Sequence, residues 1–186
     1  DASGPGSLRE AVSTAGPRIV VFEVGGVIDL GKRAVSIAEP FLTVAGQTAP
    51  SPGITLIRGG IQIATHDVVI RHVRVRPVYA GAEKKSGWEV DAIATNGAYN
   101  VMVDQRSCTW ATDENLTASG PRFAGGDTVE RWRVSTSHRV TFSNCIIAEC
   151  LHNSTHGKGQ HSKGSLIHDN ATEIAIIANL YASNVQ

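Results

Sequence analysis

Apolar and polar residues alternate along much of this chain with a period of two, the spacing of a strand that turns one face to a core. Four stretches repeat the alternation as a phrase: residues 67–75, 100–108, 139–147 and 173–181, opening on Asp67, Asn100, Arg139 and Glu173. Each opens on a polar residue, alternates β-branched or apolar residues with others, and passes through a polar corner. The starts lie 33, 39 and 34 residues apart. A phrase that returns at so loose a period marks a stacked repeat. Because the phrases are strands, the stack they predict is a parallel β-solenoid, an all-β architecture.

The same pattern predicts strands over 19–24, 26–29, 42–45, 54–57, 61–63, 68–75, 92–94, 101–103, 140–147, 166–167 and 174–180. Pro40, Gly46, Pro50, Pro52 and Gly53 mark the early corners. A helix is predicted over 7–16. Ser7 and Glu10 make a capping box, Leu8, Ala11, Val12 and Ala15 form one apolar stripe, and Gly16-Pro17 ends it. A solenoid needs its open end covered, and this helix suits that task. The organisation is therefore one domain, residues 1–186, with an N-terminal cap over 1–18 and coils over 19–186. Two connections are long. Residues 77–90 carry Glu83, Lys84, Lys85 and Trp88, and residues 110–138 carry Asp113, Glu114, Arg122 and Asp127. Binding and chemistry concentrate on such loops. At the other end the last phrase stops at Gln186 with no closing helix. The expectation is an open final coil, covered by further sequence or by self-association through its exposed edge.

Composition narrows the function. Lys plus Arg and Asp plus Glu are 17 each, so no global charge points to nucleic acid or to a membrane surface. No apolar run reaches membrane-spanning length. The chain opens at Asp1 with loop residues, without an initiator Met or an apolar leader, and reads as a mature or trimmed product. Three cysteines cannot all pair. Cys108 and Cys145 hold similar places in two phrases and are expected to stack as small core residues rather than to form a disulfide.

Several clusters carry candidate chemistry. Glu89-Val-Asp91 puts two carboxylates on one face of an extended segment, with Asp104 thirteen residues on and Asp113-Glu114 beyond. Hard cations such as Ca²⁺ favour several carboxylate oxygens; the alternative is a set of solvated loop acids. Residues 152–168 crowd His152, His156, His161, His168, Lys158 and Lys163 together, at spacings that match no zinc signature. They read as a solvated loop or as a basic cleft for a polyanion. Trp88 and Trp110 each sit beside acidic residues, as core-boundary aromatics or as platforms for sugar faces.

The residues 4–12 (Gly-Pro-Gly-Ser-Leu-Arg-Glu-Ala-Val), 44–50 (Val-Ala-Gly-Gln-Thr-Ala-Pro), 67–71, 110–116 (Trp-Ala-Thr-Asp-Glu-Asn-Leu) and 153–159 (Asn-Ser-Thr-His-Gly-Lys-Gly) occur in an order that resembles the pectate lyase family. The resemblance covers the whole chain. It implies a right-handed parallel β-helix, secretion, Ca²⁺, and action on polygalacturonate or pectin by β-elimination. It implies calcium-binding roles for Glu89, Asp91, Asp113 and Asp104, while Thr117 falls where a further family carboxylate is expected. Lys158 or Lys163 resembles the lysine that holds the substrate carboxylate. His156, His161, Arg76 and Trp110 are the expected substrate contacts. Departures accompany these matches. The family's Asp-His-Cys corner is Asp104-Gln105-Arg106 here, and Cys150 stands where related members often have Gly. The family's catalytic arginine would fall just after Gln186, and no arginine occurs after Arg139. The expectation is a lyase whose present chain is weakly active or inactive. Alternatives are a non-catalytic polyuronate-binding solenoid, a lyase for another uronate polymer, or a self-associating structural solenoid.

Overall fold

The computed structural model describes residues 2–121, 125–161 and 163–185. Its strands coil into a parallel β-helix of three sheets. Sheet A stacks β1 (Arg18–Val20), β4 (Leu42–Ala45), β7 (His66–Arg71), β10 (Tyr99–Asp104), β13 (His138–Ser143) and β16 (Thr172–Ile177). Sheet B stacks β2 (Gly26–Asp29), β5 (Ile54–Ile57), β8 (Val73–Arg76), β11 (Ser107–Thr109), β14 (Ile146–Ala148) and β17 (Leu180–Ala182). Sheet C stacks β3 (Val35–Ile37), β6 (Ile61–Ile63), β9 (Ile93–Asn96), β12 (Glu114–Ser119) and β15 (Lys163–Ile167). Every pairing is parallel, so each residue stands over its counterpart one coil away: Val44, Ile70, Val103, Phe142 and Ile176 form one such column. Ile70, Val103 and Phe142 are fully buried. The interior is built from such columns and needs no second layer.

The polar residue that opens each phrase has a backbone cause. Asp67, Asn100, Arg139 and Glu173 all adopt positive φ, between 52° and 55°. The pairing skips these residues: Tyr99 faces His138, and the next matched pair is Val101 and Val140. Each is a single left-handed residue near the start of a sheet A strand, at the same place in every coil so that the register is kept, and β-branched side chains rarely adopt this conformation. Five residues later His72, Gln105, Asn144 and Ala178 again have positive φ, between 51° and 54°. These single left-handed residues turn the chain from sheet A into sheet B. The predicted strands 68–75, 140–147 and 174–180 are therefore each two strands, split at a corner that carries no Gly or Pro. Helix α1 (Leu8–Ser13) starts as predicted, with the Ser7 side chain accepting the Glu10 N–H. The Glu10 carboxylate reaches the Gly6 N–H rather than that of Ser7, and the helix stops at Ser13, before Gly16-Pro17. Arg18 donates to the carbonyls of Ala11, Val12 and Gly16 and ties the helix end to the first coil. Leu8 and Val12 are buried against the core.

The region 110–138 is not one long loop. It contains β12 and a second helix, α2 (Val129–Ser135), capped by Thr128 and burying no residue. Arg122 lies outside the described residues. The three cysteines are buried and no disulfide joins them. Cys108 stacks on Val75 and Ile147, not on Cys145. Cys145 falls opposite Arg106 at the corner, because Ser107 pairs with Ile146. In the last coil Ile176, Ile177, Leu180 and Tyr181 are exposed.

Arg106 is a charged residue placed in the interior. It is 3% exposed, and its Nε–H donates to the Ile70 carbonyl while Nη1 and Nη2 have no partner among the described residues. Burial pulls its pKa down to about 10. An unpaired guanidinium in this place opposes folding. Arg106→Met keeps most of the volume and removes the charge. It is expected to raise the thermal unfolding midpoint by a few degrees, equivalent to ~1 kcal/mol or more. A lower midpoint in a calorimetric scan would contradict this account.

Candidate active site

The edge of sheet C gathers ionisable groups by register alone. Leu116 of β12 pairs with Ile93 of β9, and Glu114 pairs with Lys163 of β15. Counting back two residues sets Asp91 beneath Glu114. The Glu114 N–H donates to Asp91 Oδ1 at 3.0 Å, and the Ala92 N–H donates to the Glu114 carbonyl at 3.0 Å. Asp91, Glu114 and Lys163 thus form a column of consecutive coils. Lys163 Nζ stands 3.3 Å from Glu114 Oε1. Asp113, one residue earlier on the corner, completes a group in which oxygens of Asp91, Asp113 and Glu114 all lie within 4.8 Å of one another.

Two long segments close over this edge. The N–H groups of Lys85 and Gly87 donate to the carbonyls of Ser154 and Thr155, and the Thr155 hydroxyl donates to the Trp88 carbonyl. The segment before β9 and the histidine-rich segment before β15 are zipped together, which brings Glu89 and His156 to the carboxylates. Glu89 Oε1 accepts the Gly157 N–H at 3.1 Å. The His156 imidazole is 1% exposed, and its ring stacks on His161 with centroids 3.9 Å apart. The Lys158 N–H donates to His156 Nδ1 at 3.1 Å, which leaves the ring proton on Nε2. That nitrogen faces Asp113 Oδ1 at 3.4 Å and Glu89 Oε1 at 3.7 Å. His156 is thus a buried ring whose Nε2 faces two carboxylates. His161 Nε2 lies 2.7 Å from Asp113 Oδ1, and burial lowers its pKa. Two sets of ligand atoms lie within 4.8 Å of one another: Asp113 with His156 and His161, and the all-oxygen set of Asp91, Asp113 and Glu114.

Burial and mutual repulsion set the protonation of these acids. Burial, then the neighbouring Asp113 and Asp91, push Glu114 up to about 8. Burial likewise raises Asp91, and the Glu114 N–H offsets only part of that effect.

The expected site residues divide into groups. Glu89, Asp91, Asp113, His156, His161 and Lys163 come together. Glu114 joins them as the first residue of β12, although its segment reads as loop; the strand Glu-Asn-Leu-Thr-Ala-Ser is nearly all buried yet has one large apolar residue. Lys158 contributes its backbone and leaves its side chain exposed. Asp104 stands apart, at the sheet A corner. It accepts from Ser143 Oγ at 2.8 Å and Asn144 Nδ2 at 2.9 Å, with Arg71 Nε at 3.4 Å, and the Asn144 bond leads the effects that hold its carboxyl low. Arg76 and Trp110 lie on the outer face of sheet B, the guanidinium carbon 5.7 Å from the indole centre.

The chain is 35% identical over 183 residues to Probable pectate lyase C of Aspergillus terreus, a match that takes in 98% of this chain and 36% of that protein. The proteins of the same name from Aspergillus oryzae and Emericella nidulans match at 35% and 34% identity over the same shares. No family model matches the chain. These matches support assigning the chain to the pectate lyase family. It spans 36% of the length of the curated relatives it matches.

The raised carboxyls couple the site to pH. Glu114 binds its proton more tightly folded than unfolded. Without a cation, stability from this group is therefore full below about pH 4.5 and is lost as pH rises toward about 8. In chelator, the unfolding midpoint of the wild type is expected to fall over that interval, and that of Glu114→Gln to fall less. Parallel curves for the two proteins would show that Glu114 titrates normally.

Proposed function

We propose that the protein cleaves polygalacturonate by calcium-assisted β-elimination outside the cell, at the edge of sheet C. The observation that carries the reading is the column Asp91–Glu114–Lys163 with Asp113 beside it, two carboxylates and a lysine in register, in a chain similar to proteins named pectate lyase. The donor set fits Ca²⁺: all oxygen, with more than one carboxylate. Asp91, Asp113 and Glu114 would hold the ion, with Glu89 next to them. When bound, the ion would supply charge that offsets the acids and draws the uronate carboxylate, stabilising negative charge that develops beside it.

The protein's own groups have distinct tasks in this scheme. His156 donates its Nε2 proton toward Asp113 and Glu89 and keeps both acids aimed at one point. Lys163 offers a cation to the substrate carboxylate. Acidity at the substrate C5 then rises, a base removes the C5 proton, the freed electron pair forms the C4=C5 double bond, and the C4–O bond to the next sugar breaks as its oxygen takes up a proton from water. Among the described residues no helix is long and apolar enough to cross a membrane.

The test is the ultraviolet absorbance of the unsaturated product from polygalacturonate at alkaline pH. The expected outcome is product with added Ca²⁺, none with chelator, and a loss of about 10²-fold or more in kcat for Lys163→Ala. Calcium-dependent binding without turnover would reduce the reading to a polyuronate binder, and no binding in either condition would remove it.

A further inference from the structure

Outside the carboxylate site, the outer face of sheet B holds a second concentration of charge. An open groove of about 530 Å³ runs between β5, β8 and the start of the following loop, lined by Arg58, Arg74, Arg76, Val78, Tyr79 and Trp110. Its size is that of a small-ligand site. None of Asp91, Asp113, Glu114 or Lys163 lines it. Trp110 and Asp113 stand at the two ends of the short corner between β11 and β12, so the groove and the carboxylates occupy neighbouring faces of one turn.

The guanidinium groups of Arg74 and Arg76 are held by neutral acceptors. Arg74 donates from Nε to Thr55 Oγ1 at 2.8 Å and from Nη2 to the Pro52 carbonyl. Arg76 donates from Nη1 to the carbonyls of Val75 and Ser107, at 3.0 and 2.7 Å, and from Nη2 to Ser107 Oγ at 2.8 Å. Each guanidinium has five N–H groups, so both keep donors for another partner. Arg58 is paired with Asp29, and Lys32 Nζ lies 3.8 Å from the centre of the Tyr79 ring. Glu149 accepts the Trp110 indole N–H at 2.9 Å. Arg58, Arg74, Arg76 and Lys32 thus outnumber Asp29 and Glu149, and the excess is positive. Trp110 is 41% exposed and fixed at its nitrogen, which leaves an aromatic face beside two forked cations.

We propose that this groove is a second binding site for an acidic sugar chain, with uronate carboxylates on Arg74 and Arg76 and a sugar face against Trp110. The choice of uronate as the acidic sugar rests on the polygalacturonate reading above. Forked donors match carboxylates in pairs, and an indole face packs against the C–H side of a pyranose. A chain held here lies beside the cleavage edge without needing the cation, so the polymer stays attached between events at the carboxylates.

Titration calorimetry of the full chain with trigalacturonate in EDTA separates this site from any calcium-dependent one. Binding is expected to persist in EDTA, to weaken with added salt and to quench tryptophan fluorescence. It is expected to weaken about tenfold in Arg74→Gln and to vanish in Arg74→Glu. A neutral trisaccharide is expected not to bind. Arg74→Lys keeps the charge, loses the fork and should bind at an intermediate level, which guards against a folding defect in either of the other variants. No binding in EDTA, equal binding by Arg74→Glu, or equal binding of the neutral sugar would each overturn the proposal. Product formation with Ca²⁺ is read separately, so a protein that fails one assay and passes the other identifies which reading is wrong.

Discussion

Parallel pairing in register holds every side chain about 4.8 Å from its counterpart in the next coil. This constraint gives each column of the solenoid one chemical character, because what stands at one level must tolerate what stands above and below. Val44, Ile70, Val103 and Phe142 satisfy it by dispersion and water exclusion. Backbone hydrogen bonds along three sheets fix the column whether or not the side chains attract. The fold can therefore hold together groups that would separate if free.

The carboxylate edge uses that property. Asp91 and Glu114 are stacked by the same ladder that stacks the apolar columns, and burial there, with Asp113 beside them, raises the proton affinity of both. Lys163 continues the column with the opposite sign. Asp113, Glu89 and the two histidines are added by segments between strands, and those segments are fixed to each other through Lys85, Gly87 and Thr155. Sheet register sets the column, and the zipped loops set its surroundings. Arg106 shows the opposite use of the constraint: a charge placed in an interior column between Val73 and Cys145, met only by the Ile70 carbonyl among the described residues.

Much of this was legible in the residues because the fold repeats and the repeats share a backbone anomaly. The phrases that open on Asp67, Asn100, Arg139 and Glu173 are visible since a left-handed backbone position admits those types and disfavours Val or Ile. The corners five residues later were hidden because His72, Gln105, Asn144 and Ala178 are not turn formers as a set. Strand β12 was hidden because its burial comes from two-sided packing of small and polar residues, which leaves no alternation to read. Helix α2 was hidden because it buries nothing and so has no stripe. At the site, Glu89, Asp91 and Asp113 follow from acid spacing and family resemblance. The role of His156 depends on which ring nitrogen the Lys158 N–H meets, a fact of geometry that no spacing encodes. The grouping of Arg76 and Trp110 away from the carboxylates is likewise a matter of which sheet face each strand presents.

The two left-handed residues that bracket each sheet A strand from β7 onward lie five positions apart in all four coils. That interval behaves as a fixed ruler. One residue gained or lost inside it would turn the rest of its coil inside out, because side chains alternate faces at every step. Residues gained between sheet B and sheet C leave the ruler untouched, as the segment with α2 between β12 and β13 does on the remaining side of the coil. Descent with insertion is therefore channelled: such a chain can lengthen its loops and acquire new surfaces while the frame that aligns its acids keeps its count.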